Sequence, residues 1–100
     1  MELIVSGRHL PITDAIRQHA SEKTAKLPRF FDRIQKVEVI VDKKDHNYEC
    51  EVIVHVDHSD PFICRVNGRD LYACIDEATH KLERRLADHK EKLRNRKHNT

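Results

Sequence analysis

Residues 70–96 read DLYACIDEATHKLERRLADHKEKLRNR. Leu71, Ile75, Ala78, Leu82, Leu86 and Leu93 recur at spacings of three, four and seven, so one apolar stripe runs along the segment, as in a helix with a single buried face. No Gly or Pro interrupts it. Asp70 follows the turn-forming pair Asn67-Gly68 and is placed to cap the first turn, and Asp76 and Glu77 stay near the positive end of the dipole. Basic residues crowd the other end. From His80 to Thr100, Lys and Arg outnumber Asp and Glu by eight to three, a local charge of +5 in a chain whose total is +2. The preceding residues therefore carry −3.

Ahead of this helix, Phe62, Cys64 and Val66 line one face of a strand that Asn67-Gly68 ends. Tyr48 to Asp57 alternates, with Cys50, Val52, Val54 and Val56 on the inner side. Lys36 to Lys43 also alternates, placing Val37, Val39 and Val41 together. Asp45-His46-Asn47 and Ser59-Asp60-Pro61 are turn signals. Near the amino terminus, Glu2 to Ser6 reads as a first strand stopped by Gly7. Thr13 then caps a helix whose inner face is Ile16, Ala20 and Leu27, and Pro28 is expected to end it. Lys23 falls close to that inner face, with its stem on apolar surface and its ammonium in water. Phe30 and Phe31 are expected to close the bottom of the core.

The order β-α-β-β-β-α makes strands one and two parallel, joined by a right-handed crossover, and strands two to four an antiparallel meander. Only one sheet face is consistently apolar, so both helices must cover it. The fold class is α+β, a two-layer sandwich with a four-stranded sheet. One domain is expected over residues 1–96, followed by a short basic and polar tail, 97–100. A helix of ~26 residues is ~39 Å long, whereas strands of about eight residues span ~26 Å. Its last turns, with Lys90, Lys92, Arg94 and Arg96, should project beyond the sheet.

Charged residues make up 36% of the 100 and apolar residues 38%, with no Trp. The apolar positions are periodic rather than sparse, so the chain reads as folded with a heavily solvated surface. Cys50, Cys64 and Cys74 are odd in number and lack CxxC spacing, which argues for reduced thiols in a cytoplasmic protein. No signal peptide is recognisable, and no run reaches the ~20 apolar residues of a membrane span.

Stepping about 100° per residue from Leu82 puts Lys81, Arg85 and Lys92 on one flank of the long helix. Lys90 and Arg94 fall on the other, and Arg84 points outward. With Arg17, Lys23 and Lys26 of the first helix, a positive track between two side-by-side helices is expected, suited to phosphates. Base-stacking aromatics are not interleaved with these cations, so the expected target is structured RNA recognised by shape and backbone. There is no helix-turn-helix or zinc-finger spacing to suggest DNA reading. His55 and His58 straddle a strand end without a recognised ligand pattern, so no metal and no cofactor are expected. No nucleophile elbow, P-loop or isolated carboxylate pair is present, and the chain does not read as an enzyme. Ile4, Ile40, Ile53 and Ile63 lie one per strand on the face opposite the core, and read as scattered exposed apolar residues.

Several segments carry a resemblance: the opening ELIVSGRHLPITDAIRQHASEKTAKL, the run Phe30-Phe31-Asp32-Arg33-Ile34, and above all DLYACID followed by KLERRLADHKEKL. Nearly the whole chain resembles the ribosome hibernation promoting factors, also called ribosomal subunit interface proteins. Leu71 and Cys74 depart from the usual D-M-Y-A-A-I-D but keep apolar or small character. The resemblance implies a non-enzymatic protein that binds the small ribosomal subunit in the channel of mRNA and the A- and P-site tRNAs. It would inhibit translation by steric exclusion under stress or in stationary phase. The family's basic helix residues contact 16S rRNA, and the matching positions here are Lys23, Lys26, Lys81, Arg84, Lys90, Lys92 and Arg94, with Arg85 extending the set. In length the chain resembles the short form, without the second domain that pairs ribosomes, and a monomer off the ribosome is expected. Two other readings fit the residues: a general structured or double-stranded RNA binder, and a protein-interaction adaptor using the isoleucine face.

Overall fold

A computed structural model describes residues 1–98. The elements are β1 (Glu2–Arg8), α1 (Asp14–Thr24), a short 3-10 turn (Leu27–Arg29), β2 (Ile34–Lys44), β3 (Asn47–Val56), β4 (Phe62–Gly68) and α2 (Leu71–His98). The sheet order is β1-β2-β3-β4, with β1 and β2 parallel and the other neighbours antiparallel. The expected two-layer α+β architecture is the one found.

The core follows from strand alternation. Val37, Val39, Val41, Cys50, Val52 and Val54 are fully buried on the helix-facing side, joined by Cys64 and Val66 of β4. Each such side chain contributes about 1.5–3 kcal/mol relative to leaving it in water, which explains why both helices collect on this face. From α2 the buried set is Leu71, Cys74, Ile75, Ala78, Leu82 and Leu86, and from α1 Ile16 and Ala20. The helices also bury Thr24 and Thr79, whose hydroxyls donate to the carbonyl oxygens of Ala20 (2.8 Å) and Ile75 (2.9 Å). Those bonds let polar groups sit in the core without loss. Burial pushes the Cys50 thiol up to about 12 and raises Cys74 too, so these side chains behave as small apolar groups.

Several expectations about boundaries change, beginning with β1, which continues through Gly7 to Arg8. α1 stops at Thr24, ahead of Pro28, which instead sits at the start of the 3-10 turn, where a proline needs no amide partner. β2 begins at Ile34, because an irregularity between Ile34 and Lys36 lets the strand pair earlier than its alternation indicates. The β2–β3 hairpin turns on two residues, Asp45 and His46, with Asp45 at φ 46°. α2 runs through His98, so the first two residues of the expected tail are helical, while Asn99 and Thr100 lie outside the described residues.

α2 does run past β4. His89 reaches the first residue of that strand, its ring 5.2 Å from Phe62 and 5.1 Å from Phe31. The overhang is less free than expected, because Leu93 packs partly against the core and shares a recess with Phe31, Asp32 and Arg33. Gly7 has a specific reason: a Cβ there would lie 2.4 Å from the carbonyl oxygen of Leu10, where the chain doubles back towards α1.

Candidate nucleic-acid interface

The positions of the basic side chains depend on how α2 is anchored and rotated. Asp70 Oδ1 accepts from the amides of Tyr72 (3.0 Å) and Ala73 (3.3 Å), as its sequence position indicates. Rotation is set by the buried stripe and by the contact with α1. There Asp76 accepts from His19 Nε2 at 2.6 Å and lies 3.7 Å from Lys23 Nζ. Asp76 is therefore an acid that ties the helices together as well as one near a helix start. The flank of α2 facing α1 is the one holding Asp76, His80 and Glu83.

That assignment corrects the expected positive track. The groove between the helices is a recess of about 390 Å³ lined by Lys23, Lys26, Asp76, Thr79, His80 and Glu83. Two of its lysines are countered by two carboxylates, so this stretch is mixed in charge. Lys81, Arg85 and Lys92 are absent from it because they occupy the far flank of α2, towards β4. Lys81 Nζ is 3.9 Å from Glu77, one helical turn earlier. Arg85 reaches across to the sheet, its guanidinium donating to the carbonyl oxygen of Ile63 at 2.6 Å. Lys92 shares a recess with Arg85, Phe62, Asp88 and His89.

Lys90 and Arg94 lie farther along the helix, on the side of the Phe31–Arg33 link, in a recess that Arg33 also lines. Arg94 is 3.7 Å from Glu91. Arg84 is exposed and forms no ion pair among the described residues. Six of the cations thus straddle α2 as two flanking rows with Arg84 between them, a convex ridge rather than a trough, and Lys23 and Lys26 lie beside it on the α1 side. The exposed pairs with Glu77 and Glu91 are worth little and are easily exchanged for a phosphate. Sequence reasoning missed Arg33 and His80 as members of this surface. Arg33 sits outside any periodic element, so only its spatial return towards α2 reveals it.

The opposite face of the sheet has a different character. His9 Nδ1 donates to Asp42 Oδ1 at 2.8 Å and His55 Nε2 to Glu38 Oε2 at 2.6 Å, while Arg65 pairs with Glu51. The His9 hydrogen bond holds the Asp42 carboxyl below its ordinary range against the opposing effect of burial, and Glu51 raises Arg65. The four isoleucines do not form one strip. Ile53 stands opposite Ile63, Glu38 separates Ile53 from Ile4, and Ile40 lies one row away between Ser6 and Glu51. No helix among the described residues is long and apolar enough to cross a membrane.

Comparison with known proteins agrees with this architecture. The family described as Sigma 54 modulation protein / S30EA ribosomal protein matches residues 3–94. A ribosome hibernation promoting factor of Azotobacter vinelandii is 38% identical over 92 residues, covering 92% of this chain and 85% of that protein. Its counterpart in Escherichia coli is 35% identical over 94 residues, covering 94% and 98%. Among solved structures, the Thermus thermophilus Protein Y N-terminal domain superposes with a TM-score of 0.81 at 30% identity, covering 88% of this chain and 98% of that domain. A ribosomal subunit interface protein from Coxiella burnetii shares the fold, with a TM-score of 0.79 at 23% identity. The cations flanking α2 therefore belong to a member of the Sigma 54 modulation protein / S30EA ribosomal protein family.

Proposed function

We propose that this chain is a cytoplasmic ribosome hibernation factor that binds 16S rRNA in the mRNA and tRNA channel of the small subunit and excludes both by occupying it. The observation that carries the reading is the arrangement of Lys81, Arg85 and Lys92 on one flank of α2 and Lys90 and Arg94 on the other, with Arg84 between. A convex basic ridge fits a concave RNA channel, and backbone contacts position a protein without reading sequence. Lys23 and Lys26 extend the surface onto α1. The relatives named ribosome hibernation promoting factor, each matched over most of its length, support the ribosome-associated part of this reading, and their family is one of non-enzymatic ribosome-binding proteins.

The test is co-sedimentation with purified small subunits across a salt series, with and without initiator tRNA. Saturable binding that weakens with salt and is displaced by tRNA is expected. Binding indifferent to tRNA would move the site away from the channel. Competition by unrelated duplex RNA would favour a general structured-RNA binder.

A further inference from the structure

At the end of the sheet where both helices begin, the helix-facing side stops being core. The row after Val41 and Cys50 consists of Lys43 opposite Tyr48, which in turn stands opposite Gly68. A lysine and a tyrosine thus occupy positions whose parity elsewhere is valine or cysteine. They open into a recess of about 660 Å³, walled by Leu10, Pro11 and Ile16 on the α1 side and by Leu71 and Tyr72 on the α2 side, with Arg69 also lining it. That volume lies within the range of small-molecule sites.

The lining has two chemistries. Tyr48 and Tyr72 are the only tyrosines of the chain, and both are here. Tyr72 is 39% exposed yet held in place, its ring edge-on to His19 at 5.0 Å, and His19 is fixed in turn by Asp76. Lys43 and Arg69 form no ion pair among the described residues. The first-turn amides are already taken by their caps: Ile16 donates to Thr13 Oγ1, and Tyr72 and Ala73 donate to Asp70 Oδ1. The Asp70 carboxylate also lines the recess and steers an anion away from itself, towards the two cations.

An inorganic anion would leave the apolar walls and rings unused. A purely apolar ligand would desolvate two cations without compensation. A planar aromatic group bearing a phosphate uses both halves, since rings stack on bases and cations hold phosphate oxygens. We propose that this recess binds a nucleotide, its base against Tyr48 and Tyr72 and its phosphate on Lys43 and Arg69. The nucleotide is either free or an unpaired residue of an RNA strand.

With no tryptophan and two tyrosines, the chain labelled with 3-fluorotyrosine yields two fluorine NMR signals, both from this recess. The four nucleoside monophosphates, a short single-stranded RNA and inorganic phosphate are titrated separately. A saturable shift of both signals is expected, weakened at least about tenfold by Lys43→Ala with Arg69→Ala and retained in Lys44→Ala, a neighbouring cation on the other side of β2. Stacking losses of about 5–150-fold per base set the scale for Tyr72→Ala. Response to free nucleotides identifies a free ligand, whereas response to the RNA alone identifies an unpaired strand residue, and either supports the site. Three outcomes would overturn it: no shift with any nucleotide or RNA, an equal response to inorganic phosphate, or a response that survives the double alanine variant. None of these bears on co-sedimentation with small subunits, so the two readings stand or fall separately.

Discussion

The guanidinium of Arg85 donates to the main-chain oxygen of Ile63 at 2.6 Å, fastening the middle of α2 to β4. β4 is the last strand of the sheet, so this contact lies at the sheet's edge. Arg85 is thereby both a cation of the ridge and a tie between the layers. Replacing it by alanine should cost about 0.5–1.5 kcal/mol of stability, the scale of a partly exposed hydrogen bond. Lysine should recover only part of this, because it lacks the planar fork. Urea unfolding of the two variants reads the difference, and equal stability of wild type and Arg85→Ala would show that the tie is idle.

The two rows of cations make separable predictions. Lys81→Glu with Lys92→Glu should weaken binding to small subunits and reduce the slope of log K against log salt by roughly 0.7–0.9 for each phosphate contact removed. The fold should persist, since both residues are exposed. Lys23→Glu with Lys26→Glu tests the α1 row in the same way. Unchanged binding in the first pair would remove the β4 flank from the interface.

Asp42 predicts a pH dependence with a definite sign. Its carboxyl is held below the ordinary value of 3.8 chiefly by the hydrogen bond from His9. The stabilisation is therefore complete above that value and is lost as pH falls through the lower folded-state pKa. The stability difference between wild type and Asp42→Asn should shrink as pH falls below about 4. Chemical unfolding at a series of acid pH values measures this. A difference that grows on acidification would contradict the assignment.

Gly7→Ala should destabilise by about 1–3 kcal/mol, the cost of forcing atoms into filled space. The obstacle is backbone: the new Cβ would meet the oxygen of Leu10 at 2.4 Å, so no side-chain rotation relieves it. At Gly68 the corresponding neighbour is Cys74 Sγ at 3.0 Å, which can shift, and Gly68→Ala should cost less. Neither glycine has positive φ, so the comparison isolates sterics from backbone strain. The order of the two midpoints in thermal unfolding decides it.

The three thiols should be silent in the native state. Cys50, Cys64 and Cys74 are all buried, and the Cys50 thiol is pushed up to about 12. At pH 8 a thiol reagent should react at the rate of opening or unfolding, and urea should release all three together. Fast labelling of any one without denaturant would show a local opening.

Periodicity carried most of the fold because it is a local property that tertiary packing merely ratifies. The stripe Leu71–Leu93 and the valine alternations of β2 and β3 each named a buried face, and two elements sharing one apolar sheet face left a single two-layer solution. Asp70 and Thr13 were legible as caps for the same reason: a cap bonds amides within three residues of itself. Chain composition also located the excess positive charge on α2.

What tertiary structure alone decided is how the layers meet. Nothing in α2 states which flank turns towards α1, because both carry cations at helical spacing. The His19–Asp76 contact, made across 57 residues of sequence, selects the flank of Asp76, His80 and Glu83. That contact sends Lys81, Arg85 and Lys92 to the β4 side, and the expected positive groove becomes a ridge. The same holds for Lys43 and Tyr48, whose core parity was visible but whose exposure depends on where the helices begin over the sheet. Periodicity records which side of an element is buried. The position and rotation of one layer on another come from contacts between residues far apart in the chain, and those lie beyond any local pattern.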